Sequence, residues 1–177
     1  MGYVTNGWQI SGIYRYQTGA PYNVGFNIPG LSGYGVTGTQ QIEGGRIAIV
    51  GATGPGTSSD PYKQFNTAAF TPPNLVGSLG LESGRNFLYR SPINAIDATL
   101  SKSFSWKERM KLELRLDTFN LLNHTQFDGI NTTLNVTSAT NYTPTNLANE
   151  LTNRAGFGAV TSVRPPRNMQ ISARFQF

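Results

Sequence analysis

The chain has no cysteine, a single histidine and only 13% charged residues. Without cysteine there is no disulfide framework, no thiolate nucleophile and no sulfur-ligated metal. With His124 as the only histidine, a multi-histidine metal site is impossible, and a Ser-His-Asp triad would hang on one residue beside a loop. We read His124 as a hydrogen-bonded residue at a strand's end. The carboxylates carry no pairing signature, because Asp97, Glu113 and Asp117 stand among basic or hydroxyl neighbours. No enzymatic activity, metal or cofactor is expected. No apolar run approaches the roughly 20 residues of a membrane helix, so any crossing of a bilayer must use strands whose backbone groups pair with one another.

Other signatures fail on context. Gly33-Tyr34-Gly35-Val36-Thr37-Gly38 has the letters of a dinucleotide fingerprint, but no strand precedes it and a poor helix former follows. Gly51 to Gly56 lacks the Lys-Ser/Thr ending of a phosphate loop. Four Asn-X-Thr triplets, at Asn123, Asn131, Asn135 and Asn141, follow from a Thr/Asn-rich composition and receive no role. The net charge of +5 is dispersed, and the richest stretch, Lys107 to Arg115, interleaves Glu108 and Glu113, so nucleic acid is not an expected partner. The N-terminus has no basic start followed by an apolar core, so no secretory signal is read there.

What the chain does contain is polar uncharged sequence, with 20 glycines and 10 prolines, as expected of long turn-rich connections between strands. The last eleven residues carry the strongest pattern. Met169, Ile171, Ala173, Phe175 and Phe177 alternate with Gln170, Ser172, Arg174 and Gln176, and the chain closes on an aromatic. That length fits the roughly 9–11 residues of a tilted membrane strand. Similar alternation predicts strands over about 7–17, 94–105 and 109–122. On the third, Met110, Leu112, Leu114 and Leu116 alternate with Lys111, Glu113, Arg115 and Asp117. A helix would put Leu112 and Leu114 on opposite sides among charges, so a period of two describes the segment. Lys102 falls on the apolar side of the second strand and is placed near the rim, where its ammonium can reach the headgroups.

Between these strands lie two long loops, 18–92 and 123–166, and one tight turn at Trp106-Lys107-Glu108-Arg109; Ile47 to Val50 is read as a small strand within the first loop. Loop lengths that alternate long, short, long put both long connections on the outer side of a membrane. The expected fold is all-β: a fragment of an antiparallel transmembrane barrel with about four long strands and two long extracellular loops. Arg15, Asp97, Lys111, Glu113, Arg115, Asp117 and Arg174 are the candidate lumen-facing residues. Tyr22, Phe26, Tyr34 and Tyr62 are candidate ligand contacts on exposed loops, because loops on a rigid scaffold carry recognition.

Several phrases point further. They are Gly7-Trp8-Gln9-Ile10-Ser11-Gly12 with Gln17-Thr18-Gly19-Ala20-Pro21-Tyr22, then Phe65-Asn66-Thr67-Ala68-Ala69-Phe70, Gly84-Arg85-Asn86, Asp97-Ala98-Thr99-Leu100-Ser101-Lys102, and Phe119-Asn120-Leu121-Leu122-Asn123-His124-Thr125-Gln126-Phe127, before the terminal aromatic strand. In order and spacing the chain resembles the C-terminal barrel segment of TonB-dependent outer-membrane receptors, in particular the Oar-like group with a carboxypeptidase-regulatory-like domain. The resemblance implies a parent barrel of about twenty-two strands holding a plug, energised from the inner membrane through a TonB-type partner. It also implies the outer-membrane lipid bilayer as surroundings, and a terminal strand with Phe175 and Phe177 that serves as the signal to the barrel-assembly machinery. No plug, energy-coupling box or signal peptide is found, so the chain is read as the last part of such a barrel. The transported solute is not specified.

Four strands do not close around a lumen, since single-chain barrels begin at about eight. Two rivals make other predictions. A soluble lectin-like sandwich would bury the apolar faces between two sheets. A self-assembling oligomer would pool the strands of several copies.

Overall fold

In the computed structural model the described residues are 5–27, 47–72, 84, 86–106, 110–137, 143–147 and 156–177. In chain order the strands are β1 (Trp8–Gln17), β2 (Pro21–Tyr22), β3 (Gly25–Asn27), β4 (Ala48–Ile49), β5 (Phe70–Thr71), β6 (Leu88–Tyr89), β7 (Ile93–Trp106), β8 (Met110–Phe119), β9 (Phe127–Ile130), β10 (Thr133–Asn135), β11 (Val160–Val163) and β12 (Asn168–Gln176). They fall into two compact units, one drawn from residues 1–18, 92–126 and 164–177, the other from 19–91 and 127–163.

The first unit is an antiparallel sheet of four long strands, ordered β1-β7-β8-β12, with no further strand paired to either outer one among the described residues. These are the strands that the period-two alternation predicts. β7 runs one residue further at each end than expected, whereas β8 stops at Phe119. The next residue, Asn120, turns the chain out of the strand with φ of 51°. Asparagine tolerates that left-handed conformation better than most side chains do. Both long connections leave the end of the sheet where Gln17 pairs with Ile93 and Phe119 with Asn168, and the β7–β8 turn lies at the other end.

The second unit shows that the two long connections are not simple loops. Four pairs of strands, each at most four residues long, organise them: β2–β6, β4–β5 and β9–β11 are antiparallel, and β3–β10 is parallel. The core joins both connections. Tyr22, Val24, Ile47, Phe65, Phe70 and Leu88 of the first pack with Leu134 and Phe157 of the second. Phe65, Phe70 and Phe157 form a mutual edge-on cluster with centroids 5.0–5.8 Å apart, an arrangement worth about 0.5–1.5 kcal/mol per pair beyond area burial. The Phe65-to-Phe70 phrase folds as a short 3-10 turn, Thr67–Ala69, that sends both phenylalanines inward. Gln64 is buried beneath it with its amide satisfied, donating to the Ser58 and Asp60 carbonyls and accepting from the Ser58 N–H.

This packing corrects the expectation for Tyr22. Its ring is buried in the core, and its hydroxyl donates to the Gly56 carbonyl at 2.6 Å. A Cβ on Gly56 would sit 2.7 Å from the Tyr89 nitrogen and 2.8 Å from the Leu88 Cβ, and φ there is 89°, so this close approach requires glycine. Burial pushes the Tyr22 phenol well above its ordinary range, opposed in part by the nearby Arg90. Phe26, also expected to be an exposed contact, packs half-buried against the same core. Aromatics scattered in a Gly/Pro-rich stretch look like surface residues, yet here each supplies one side chain to a core shared by two connections.

Candidate functional site

The paired registers turn the four-stranded sheet into a lattice with two chemically distinct faces. One row runs Ile10, Leu100, Leu116, Ile171 across all four strands; the rows nearer the turn run Trp8, Lys102, Leu114, Ala173 and then Phe104, Leu112, Phe175. Their side chains share a face because successive residues alternate sides. This apolar face is uncovered, with Ile10 at 78% and Ile171 at 80% exposure. An open groove of about 920 Å³ on it is lined by Phe104, Trp106, Met110, Leu112, Leu114 and Phe175, together with Ser105. Tyr14 and Tyr16 mark the loop end, while Trp106, Phe175 and Phe177 mark the turn end. From Ile96, beside Tyr14, to Trp106 is ten steps on β7. At a rise of about 3.3 Å and a tilt of about 40°, that is about 25 Å, the height of a barrel's apolar band.

The opposite face carries the candidate charged residues. Arg15, Asp97, Lys111, Glu113, Arg115, Asp117 and Arg174 all fall on it by register. Its rows read Gln9, Ser101, Arg115, Ser172 and then Ser11, Thr99, Asp117, Gln170. The Asp117 carboxylate accepts from Thr99 Oγ1 at 2.6 Å and from Arg115 Nε at 2.9 Å. Glu113 stands directly opposite Arg174, with Lys111 and Arg115 on either side of it along β8. Ile13 interrupts this face, as its neighbours in sequence imply.

Lys102 departs from its expected place. It lies four residues from Trp106, about 10 Å inside the turn-end girdle by the same arithmetic, and it is 6% exposed. Its ammonium sits 4.9 Å from the Trp8 ring centroid and 5.3 Å from that of Phe104, and it donates to the Asn6 carbonyl. The charge is satisfied by two π-faces and a backbone oxygen, so the side chain does not reach for headgroups.

Of the remaining candidates, Tyr62 is half-buried and Tyr34 lies outside the described residues, as does the Gly33-to-Gly38 phrase. Phe175 and Phe177 lie side by side at the end of β12, with centroids 6.1 Å apart. Among the described residues, no three His, Cys, Asp or Glu side chains converge as metal ligands.

The period-two pattern gives no role to Asn120, Asn123 and Gln126, although they stand in the Phe119-to-Phe127 phrase. Here they knit three strands at the loop end. Asn120 donates its N–H to Asp97 Oδ1 of β7 at 2.9 Å, and its side-chain amide donates to the His124 and Pro165 carbonyls and accepts from the His124 N–H. Asn123, also left-handed at φ 50°, accepts from the Arg167 N–H at 3.1 Å. Gln126 is buried and pairs with the Asn94 backbone as a strand residue would, donating to its carbonyl at 2.7 Å and accepting from its N–H at 3.3 Å; its own carbonyl receives the Arg164 N–H. His124 takes part through its backbone. The signal in the sequence was asparagine, twice, straight after an alternating strand.

With this geometry in view, the profile of a family described as an outer membrane beta barrel domain matches residues 1–170, nearly the whole chain. The chain belongs to that family. Neither the curated proteins nor the solved structures searched gave a match. Membership places the sheet in the outer membrane and explains its uncovered face: in this family the apolar rows meet hydrocarbon.

Proposed function

We propose that the chain is the C-terminal wall segment of a TonB-dependent receptor barrel of the Oar-like kind, whose parent moves a bulky solute across the outer membrane by energised displacement of a plug. The observation that carries this reading is the two-faced lattice, in which seven charged residues share the side opposite an uncovered apolar face. A polar face of that kind lines a lumen and contacts a polar plug or a passing solute. The folded connections form the outward recognition surface, and the terminal strand with Phe175 and Phe177 is what the barrel-assembly machinery engages. The role is binding and transport, with no catalytic step, and the segment alone carries out no energised uptake.

A soluble sandwich would need a second layer over Leu112, Leu114, Ile171 and Phe175; exposures of 41% at Leu114 and 58% at Phe175 favour lipid as the cover. The coding DNA in frame upstream of Met1 tests the proposal. Further alternating strands preceded by a plug domain are the expected result. A promoter and ribosome-binding site directly upstream of Met1 would overturn it.

A further inference from the structure

We infer that the Asn120, Asn123 and Gln126 cluster at the loop end is a register clasp: it fixes the alignment of β12 against β8, which neither a tight turn nor the apolar pattern specifies.

The need for such a device follows from the topology. In a hairpin the turn sets the register, and β7 and β8 are joined by a connection of only a few residues, from Trp106 to Met110. β12 reaches β8 only after the long connection from Asn120 to Arg167, so no turn aligns the pair. Alternation excludes a slip of one residue, because that would move every side chain of β12 to the wrong face. It is blind to a slip of two. Ile171 opposite Leu114 or Thr118 would leave it on the apolar face, as it is opposite Leu116 now.

The clasp reads what the pattern cannot. Each of its bonds to the entry of β12 engages one backbone atom: the Asn120 side chain the Pro165 carbonyl, the Asn123 side chain the Arg167 N–H, and the Gln126 main-chain carbonyl the Arg164 N–H. The same residues hold β7 through the Asp97 carboxylate and the Asn94 peptide, so β12 is referred to the hairpin that the turn has already aligned. A slip of two would carry these atoms about 7 Å along the strand, beyond the reach of any hydrogen bond. Charge acts in the same sense. Arg174 faces Glu113 in the native register and would face Lys111 or Arg115 after a slip in either direction. Like charges directly opposite one another destabilise a pair.

The absence of native cysteine makes the experiment direct. In the full chain, refolded into lipid vesicles, one cysteine pair at Leu114 and Ala173 reports the native β8–β12 register. A pair at Leu114 and Ile171 reports the slip of two, and a pair at Ser103 and Glu113 reports the β7–β8 hairpin. Each pair is oxidised in the parent background and in two variants, Asn120→Gly and Asn123→Gly, each of which keeps the left-handed backbone but loses the amide that binds the entry of β12. We expect native β12 cross-linking to fall at least threefold in both, with the slipped pair rising or silent, while the hairpin pair oxidises as before. Native β12 cross-linking retained in both variants would overturn the inference. So would a parallel loss of the hairpin cross-link, which would mean that the residues support general stability and not register.

Discussion

Replacing Ile171 by arginine puts the assignment of faces at greatest risk. Ile171 stands in the row Ile10, Leu100, Leu116, Ile171, about midway between the Tyr16 and Trp106 ends of the apolar face. If that row meets hydrocarbon, an arginine there costs roughly 2–4 kcal/mol, or about thirtyfold to about a thousandfold in the folding equilibrium at 1.36 kcal/mol per decade. The adjacent Gln170 is the control. It occupies the polar face directly opposite Asp117, so Gln170→Arg brings an opposite charge and gains about 0.2–1 kcal/mol. Depth supplies a second control, since Met110→Arg, beside Trp106 at the girdle, falls where the cost drops to about 0–1 kcal/mol.

The assay is reversible urea titration of the chain in lipid vesicles, followed by the emission of Trp8 and Trp106. The expected order of stability is Gln170→Arg at or above the parent, Met110→Arg slightly below it, and Ile171→Arg far below. If water covered the face, an arginine at a residue already 80% exposed would change stability by no more than about 0.5 kcal/mol. Ile171→Arg and Gln170→Arg indistinguishable from the parent would therefore refute the argument, and improved solubility of Ile171→Arg without detergent would favour a soluble module.

Three more outcomes follow from particular contacts. Lys102→Leu should be neutral or stabilising in vesicles, because it removes a charge from the apolar band, which offsets the two ring contacts of about 0.5–2 kcal/mol each and the backbone bond to Asn6 that are lost with it; a loss above about 2 kcal/mol in the same titration would show that the ammonium holds the Asn6 segment in place. Phe157→Ala empties a fully buried site in the aromatic cluster and should cost about 3–5 kcal/mol, read as faster amide exchange at Ile47 and Leu134 with the β7–β8 ladder unchanged; exchange unaltered in the short strands would count against a shared core. The folded unit holds Tyr22 protonated above the pH at which the unfolded phenol ionises, so its contribution is intact below about pH 10 and declines as pH rises from there. Alkaline titration of amide exchange in that unit checks this, and Tyr22→Phe should lose about 1 kcal/mol at neutral pH yet flatten the alkaline decline.

The sheet was legible in the sequence because a barrel wall is a local pattern. Each of its long strands carries its own alternation, so Leu112 and Ile171 declare their face without reference to any distant residue. The seven charged candidates were placed on one face by that parity alone, and the registers agree. Lys102 shows where parity stops being informative: it fixes the side a residue points to, but not that Trp8 on the neighbouring strand and Phe104 two places along would enclose the ammonium. Apart from the small strand expected at Ile47 to Val50 and found at Ala48–Ile49, the folded connections were illegible for the opposite reason. Their strands are two to four residues long, too short for any period, and their partners are remote, as when Gly25–Asn27 pairs with Thr133–Asn135. Tyr22 and Phe26 therefore looked like exposed contacts when they were halves of a core whose other half, Leu134 and Phe157, lies in a different connection.

That contrast bears on how recognition and alignment are divided in this chain. A core assembled from both connections makes them a single folding unit, so a change in either alters the surface offered by both, and under the proposed receptor function the contacts for a solute are to be sought on the outside of that unit and not among its buried aromatics. Such a unit is also a poor ruler for the strands that carry it, because its own register rests on pairings of two to four residues. Alignment of β12 has to come from the sheet end itself, and there the left-handed asparagines after β8 supply it: their side chains bind backbone atoms at fixed positions, which a sliding strand cannot exchange for equivalents two residues away without breaking every bond at once.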